Sequence, residues 1–220
     1  MINKIISLRY GVLLLMVLSV SCKKLDLVPR DKFTDATYWT SPEKAGTVLN
    51  TAYSQMFNTN YFFYNEGLSD NAYSGRGDQQ GVTSIAAGLA DASLARFREQ
   101  WNGHYACIKT CNIFLENVDR VPGYDEAAKN NRKAEARFIR AFQYFQLYTL
   151  YGDVPLIEQD ISVSEAKSIS RTPRQQVVDF VLHELDDAAG LLPVNTQYAA
   201  DDRGRITKGA VMALKARALL

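Results

Sequence analysis

The stretch AEARFIRAFQYFQLYTLYGDVP, Ala134 to Pro155, constrains this chain more than any other. Ala134, Phe138, Ala141, Phe145 and Tyr148 recur at steps of four and three, which places them on one face of a helix. Ile139, Phe142 and Leu150 widen that face well beyond a single stripe, and Arg137 and Arg140 mark the polar side. Gly152 suits a left-handed residue just past a helix end, and Pro155 cannot continue a helix. A helix this apolar needs partners on more than one side, so the rest of the chain must supply further helices.

The remaining pattern supplies them. Ser41-Pro42-Glu43 reads as an N-cap, a first-turn proline and an acid; Ala45, Val48, Leu49, Ala52, Tyr53 and Met56 follow at helical spacing. Residues 58 to 95 change character. Asn, Asp, Ser and Gly dominate, interleaved with Tyr61, Phe62, Phe63, Tyr64 and Tyr73, and the segment reads as one long irregular loop. Long loops inside compact domains often carry function. A helix returns near Leu94 and runs to about Asp119, with Phe97, Trp101, Tyr105, Ile108, Ile113, Leu115 and Val118 at helical spacing. Pro122-Gly123 turns the chain into the central helix, and Pro155 to Ile157 leave it in extended form. Thr172-Pro173-Arg174-Gln175 reads as a capping box opening a helix buried through Val177, Val178, Val181, Leu182, Leu185 and Ala188. A last helix begins at Thr207. The expected pairs are 94–119 with 127–151 and 173–191 with 207 onward. Ala134-x3-Phe138 and Ala141-x3-Phe145 resemble the Ala-x3-Phe element of tetratricopeptide repeats, though irregular loop lengths exclude a strict array. The fold class is therefore all-α: tetratricopeptide-like helix pairs with long irregular loops.

The N-terminus carries a different message. Lys4 and Arg9 precede the apolar run Val12 to Val20, and the small residues Ser19 and Ser21 lead into Cys22. That is a charged region, a hydrophobic region and a cleavage zone. The run is shorter than the roughly 20 residues that span a bilayer. A Cys directly after small residues resembles a bacterial lipobox and implies lipid attachment at the Cys22 thiol; the alternative is an ordinary secretory signal. Residues 1–21 are then a lipoprotein signal peptide, 22–40 a lipid-anchored tether, and 41–220 the helical domain. The helical pattern stops within a helix at Leu220, which reads as the N-terminal part of a longer domain.

Charge and composition exclude some functions. Of 25 basic and 24 acidic residues, the leader holds Lys4, Arg9 and no acid, so a chain beginning at residue 22 carries one net negative charge. No basic face or stripe points to nucleic acid. Cys107 and Cys111, four apart on one helix, have strained geometry for a disulfide and read as two buried thiols. With two histidines and no Cys-x-x-Cys there is no frame for a metal site and no sign of a cofactor. His104 and His183 have no serine, cysteine or carboxylate at a diagnostic spacing and read as structural or surface residues. Asp201-Asp202-x-Gly resembles a calcium loop only loosely; a solvated turn is the simpler reading. A glycosidase needs two carboxylates about 5 to 10 Å apart across a cleft, and no motif marks such a pair.

Five pieces in order resemble one family. They are SCKKLDLVPRDKF, YWTSPEKAGTVLNTAY, AEARFIRAFQYFQLYTLYGDVPLI, RTPRQQVVDFVLHELDDAAGLLP and GRITKGAVMALKARALL. Together they resemble the SusD/RagB family, the surface glycan-binding lipoproteins of Bacteroidetes. The resemblance implies a SusD-like α-α superhelix, lipid-anchored to the outer membrane and facing the cell exterior. It further implies a protein without catalytic activity. Such a protein captures oligosaccharide or polysaccharide and passes it to a SusC-like TonB-dependent transporter, acting as its lid. The central helix then belongs to the transporter-facing scaffold. Family members are considerably longer, and their C-terminal half carries part of the sugar site. Sugar binding needs flat aromatic faces and planar polar groups, and the 61–78 segment has both: Tyr61, Tyr64, Asp70, Asn71, Tyr73 and Arg76, with Asp70 and Arg76 able to make charge-assisted bonds to hydroxyls. The alternative there is that Phe62 and Phe63 pack into the core while Asp and Asn serve turns. Trp101 reads first as core and second as a stacking platform. The rival from another class is a tetratricopeptide-like scaffold lipoprotein that assembles a membrane complex.

Overall fold

A computed structural model describes residues 38–75 and 77–220. The expected signal peptide, Cys22, most of the expected tether and Arg76 lie outside the described residues. Helix α1 spans Pro42–Met56; Ser41 caps it by accepting from the Lys44 amide at 3.4 Å, and Pro42 opens it as expected. Helix α4 spans Ala95–Asn117. Helix α5, Glu126–Tyr151, starts where the Asp125 carboxylate accepts from the Ala128 amide at 2.9 Å. It stops at Gly152, whose φ of 71° and ψ of −118° lie in a region that favours glycine. After the one-turn helix α6 at Val163–Ala166, α7 spans Arg174–Leu191 and α8 spans Lys208–Ala218, the latter capped by Thr207. Among the described residues there is no strand, only an isolated antiparallel bridge between Val154 and Thr172.

Helix α5 is the hub. It packs against α4 on one side and α7 on another, α1 lies against α4 and α5, and α8 lies against α7. The expected helix pairs are therefore present. Leu49, Ile108, Phe114, Ile139, Tyr144, Leu147 and Leu185 fill the core between them. Trp39 is buried there too, its ring 6.4 Å from that of Phe114, so the residues just before α1 already pack on the core.

Three expectations need correction. The first concerns the polar side of α5, which is interior. Glu184 on α7 is 2% exposed. One of its oxygens accepts from Arg140 Nε and Nη2 at 2.9 and 2.7 Å, the other from Arg137 at 2.7 Å. Arg140 also donates to Asn112 Oδ1 on α4 and to the Glu158 carbonyl. Asn112 and Tyr144 hold the Ile157 carbonyl, which pins the extended strap after α5 across α4 and α5. A second network surrounds Glu135, 0% exposed, which accepts from Tyr53, Arg132 and Arg205 at 2.7–2.9 Å. Buried charges persist when paired and hydrogen-bonded on both sides, as here.

The second correction concerns the start of α7. Thr172 forms no capping box. Its hydroxyl accepts from the Leu156 amide, and the helix begins at Arg174, whose amide donates to Asp153 Oδ1 at 2.8 Å. The cap arrives from 21 residues upstream because the Val154–Thr172 bridge brings Asp153 to the helix end. Third, the 201–204 turn is exposed as expected, but Asp202 within it is only half-exposed and accepts from Arg132 and Arg205 beside Glu135. Cys107 and Cys111 are buried free thiols, and burial pushes the Cys111 thiol up in pKa.

Candidate functional site

The segment after α1 is more ordered than its Asn- and Gly-rich composition predicts. It folds into α2 (Thr59–Asn65), a tight turn over Glu66–Leu68, and α3 (Val82–Ala86) after a turn at Gln79–Gly81. Asp78 receives the Ser84 amide and hydroxyl, tying the loop to the start of α3.

Between this segment, the end of α1, the first half of α4 and the last turns of α5 lies a cleft of about 360 Å³. Its walls combine three kinds of group. Phe57 and Phe62 supply exposed aromatic surface; Phe57 packs on Phe142 at 5.1 Å and Phe62 is 63% exposed. Gln55, Gln100 and Gln146 supply carboxamides, and Gln143 and His104 form a pair at 2.6 Å. Arg96 and Glu99 supply charge. Arg96 is buried, lies 4.8 Å above the Tyr61 ring, and donates to the Asn65 carboxamide and the Gln80 carbonyl. Glu99 accepts from the Tyr61 hydroxyl at 2.8 Å. Burial first, and the Glu99 bond second, push the Tyr61 phenol up to about 12.

Flat aromatic rings beside planar amides suit C–H faces and hydroxyls in one ligand. Drug-sized ligands occupy clefts of roughly 300–1,000 Å³, so this one has room for a short saccharide. Among the described residues no group of three His, Cys, Asp or Glu is placed to hold a metal ion.

Of the sequence-predicted residues that are described, only Tyr61 lines the cleft, and it is 9% exposed with Arg96 on one face. It forms wall rather than an open platform. Tyr64 is half-buried outside the cleft; Asp70 and Asn71 are exposed, as is Tyr73 at 82%. These three sit on the loop between Leu68 and Ile85, both of which line the cleft. Phe62 and Phe63 do not enter the core; both are exposed and meet edge to face at 5.7 Å. Trp101 is half-buried against Tyr105 and Tyr151, at 5.0 and 5.2 Å, which fits its first reading as core. His183 is exposed.

Sequence reading missed Gln100, His104, Gln143 and Gln146. A signal was present. Glu99, Gln100, Gly103 and His104 share one face of α4, and Gln143, Gln146 and Leu150 recur on one face of an otherwise apolar α5.

Solved structures that share this fold include SusD-like proteins. A SusD-like carbohydrate-binding protein from Bacteroides fragilis superimposes with a TM-score of 0.74 at 30% identity, over 83% of this chain and 37% of that one. A laminarin-binding SusD-like protein superimposes with a TM-score of 0.73 at 26% identity, over 82% of this chain and 40% of that one. By sequence, SusD-like protein P38 of Formosa agariphila is 26% identical over 97% of this chain, and a SusD-like protein of Bacteroides ovatus 28% identical over 89%. The chain spans 42% and 35% of those two relatives. The SusD-like_3 family model, described as starch-binding associating with outer membrane, matches residues 25–220, and the chain belongs to that family.

Proposed function

We propose that this protein is a non-catalytic glycan-binding lipoprotein of the outer-membrane surface. It captures oligosaccharide and passes it to a SusC-like TonB-dependent transporter, for which it acts as a lid. The family match over residues 25–220 carries this reading. The cleft supports it: Phe57 and Phe62 offer stacking surface, and Gln55, Gln100 and Gln146 offer planar donors and acceptors. Tyr61 closes the wall, while Tyr64, Asp70, Asn71, Tyr73 and Arg76 extend contact along the adjoining segment. Lys4, Arg9, the Val12–Val20 run and Ser19-Val20-Ser21-Cys22 support lipid attachment at Cys22. Two or three acyl chains there anchor stably, since each buried methylene contributes about 0.8 kcal/mol.

Native affinity electrophoresis in gels holding starch, laminarin and other polysaccharides tests the binding. Retardation by at least one glycan is expected. Folded protein that migrates freely in every gel favours the scaffold reading instead. A reducing-sugar signal that grows with time contradicts the absence of catalysis. Cys22→Ala releases the protein from membranes if the anchor is there.

A further inference from the structure

We propose that His104 is a hydroxyl acceptor of the cleft, locked as the neutral Nδ1–H tautomer by a relay through Gln143 to the end of α1. The proposal rests on the reading that the cleft takes a glycan, and it identifies a residue that sets specificity within it.

The relay follows from donors and acceptors. The Met56 carbonyl can only accept, and it faces Gln143 Nε2 at 3.2 Å. That contact fixes the carboxamide, so Oε1 is the atom 2.6 Å from His104 Nδ1. A carboxamide oxygen also only accepts, so Nδ1 must carry the proton. In the neutral ring Nε2 is then a bare lone pair. Among the described residues Nε2 has no hydrogen-bond partner, yet no buried side-chain nitrogen or oxygen lacks one. Nε2 is therefore not fully buried, and half-buried His104 lines the cleft.

The surroundings keep the ring neutral. Burial lowers its pKa, and the bond to Gln143 offsets this only in part. The charged and titratable groups lining the same cleft are Arg96 and Glu99 on α4, Tyr61 on α2 and Tyr151 on α5. Glu99 already accepts from Tyr61, and Cys107, one turn beyond His104, donates to the Ala52 carbonyl. His104 thus presents an acceptor that requires a donor from the ligand. A free sugar hydroxyl supplies one. An ether oxygen or a carboxylate in that position meets lone pair with lone pair, so the site selects neutral sugars with a free hydroxyl there.

Two measurements on the full chain decide it. Long-range 1H–15N correlation of the histidine rings reads the tautomer without ligand. Expected is a protonated Nδ1 and an unprotonated Nε2 at neutral pH; the reverse pattern overturns the proposal. The second measurement is titration with laminarin and with whichever glycan of the gel panel binds. His104→Asn keeps a group where Nδ1 sits and loses the acceptor, whereas His104→Gln places an amide near Nε2. His104→Asn should weaken binding about fivefold to tenfold, the value of one hydrogen bond, and His104→Gln should lose less. A wild type that binds while His104→Asn binds equally well overturns this proposal alone. A wild type that binds no glycan overturns the glycan reading and this proposal with it.

Discussion

Removing Glu184 should cost more stability than any single core methyl. Its carboxylate is the only anion among the described residues that Arg140 contacts, and both side chains are buried. In Glu184→Leu, Arg140 retains Asn112 Oδ1, the Glu158 carbonyl and the face of Phe180 at 5.3 Å, all uncharged. Arg137 suffers less because it is half-exposed and keeps Asp187 at 2.8 Å. Breaking a buried pair by removing one partner costs about 3–5 kcal/mol. For a domain of this size each kcal/mol lowers Tm by about 2–4 °C, so the expected drop is about 6–20 °C. In Glu184→Leu/Arg140→Met the unpaired charge is gone. The remaining loss is about 1–3 kcal/mol, from Asn112 Oδ1 left without its donor. Urea unfolding followed by circular dichroism, with calorimetry on the same four proteins, gives the coupling energy. A coupling above about 2 kcal/mol is expected. Single variants that cost under about 1 kcal/mol, or that add within about 0.5 kcal/mol, refute the account of a buried, mutually dependent pair.

Three further outcomes follow from the same geometry. Asp153→Ala removes the cap of α7 and should destabilise by about 1 kcal/mol, with Asp153→Asn recovering most of it in the same urea assay. Gly152→Ala meets no atom within 4 Å of the added carbon, so its cost is conformational, about 1–3 kcal/mol for a positive φ outside the left-handed helical well, read as a lower Tm. Burial would raise the Asp202 pKa, but the bonds from Arg132 and Arg205 outweigh it and hold it below 3.8. Its contribution is therefore present above pH 3.8 and lost as pH falls through the lower folded value, and Asp202→Asn should flatten that part of a stability–pH curve.

What was legible in the sequence was what neighbours in sequence decide. Ser41, Asp125 and Thr207 cap the helices that follow them, and Gly152 ends α5, because each acts within one turn. The α5 face was legible because Phe138, Ala141, Phe145 and Tyr148 share a period with the core they fill. Illegible were pairings made by the fold. Arg140 and Glu184 lie 44 residues apart, so the arginines looked like solvent-facing residues. Thr172-Pro173 carries a capping signal, but the Val154 bridge engages Thr172 and delivers Asp153 in its place. The cleft was legible in one residue, Tyr61. Its amides and His104 come from helices 39 residues apart in sequence at the His104–Gln143 contact, and only the crossing of α4 and α5 brings them together. Phe62 and Phe63 carry no periodic cue, since α2 is a short helix in an Asn-rich segment.

The glycan-binding cleft is tested most directly by titrating 15N-labelled protein with oligosaccharides of the polysaccharide that retards it most in native gels. Shifts should centre on the side-chain amides of Gln55, Gln100 and Gln146 and on the His104 ring, and saturate together. Saturating shifts that leave these four groups unmoved and fall on α7 and α8 would place the ligand elsewhere and contradict the account.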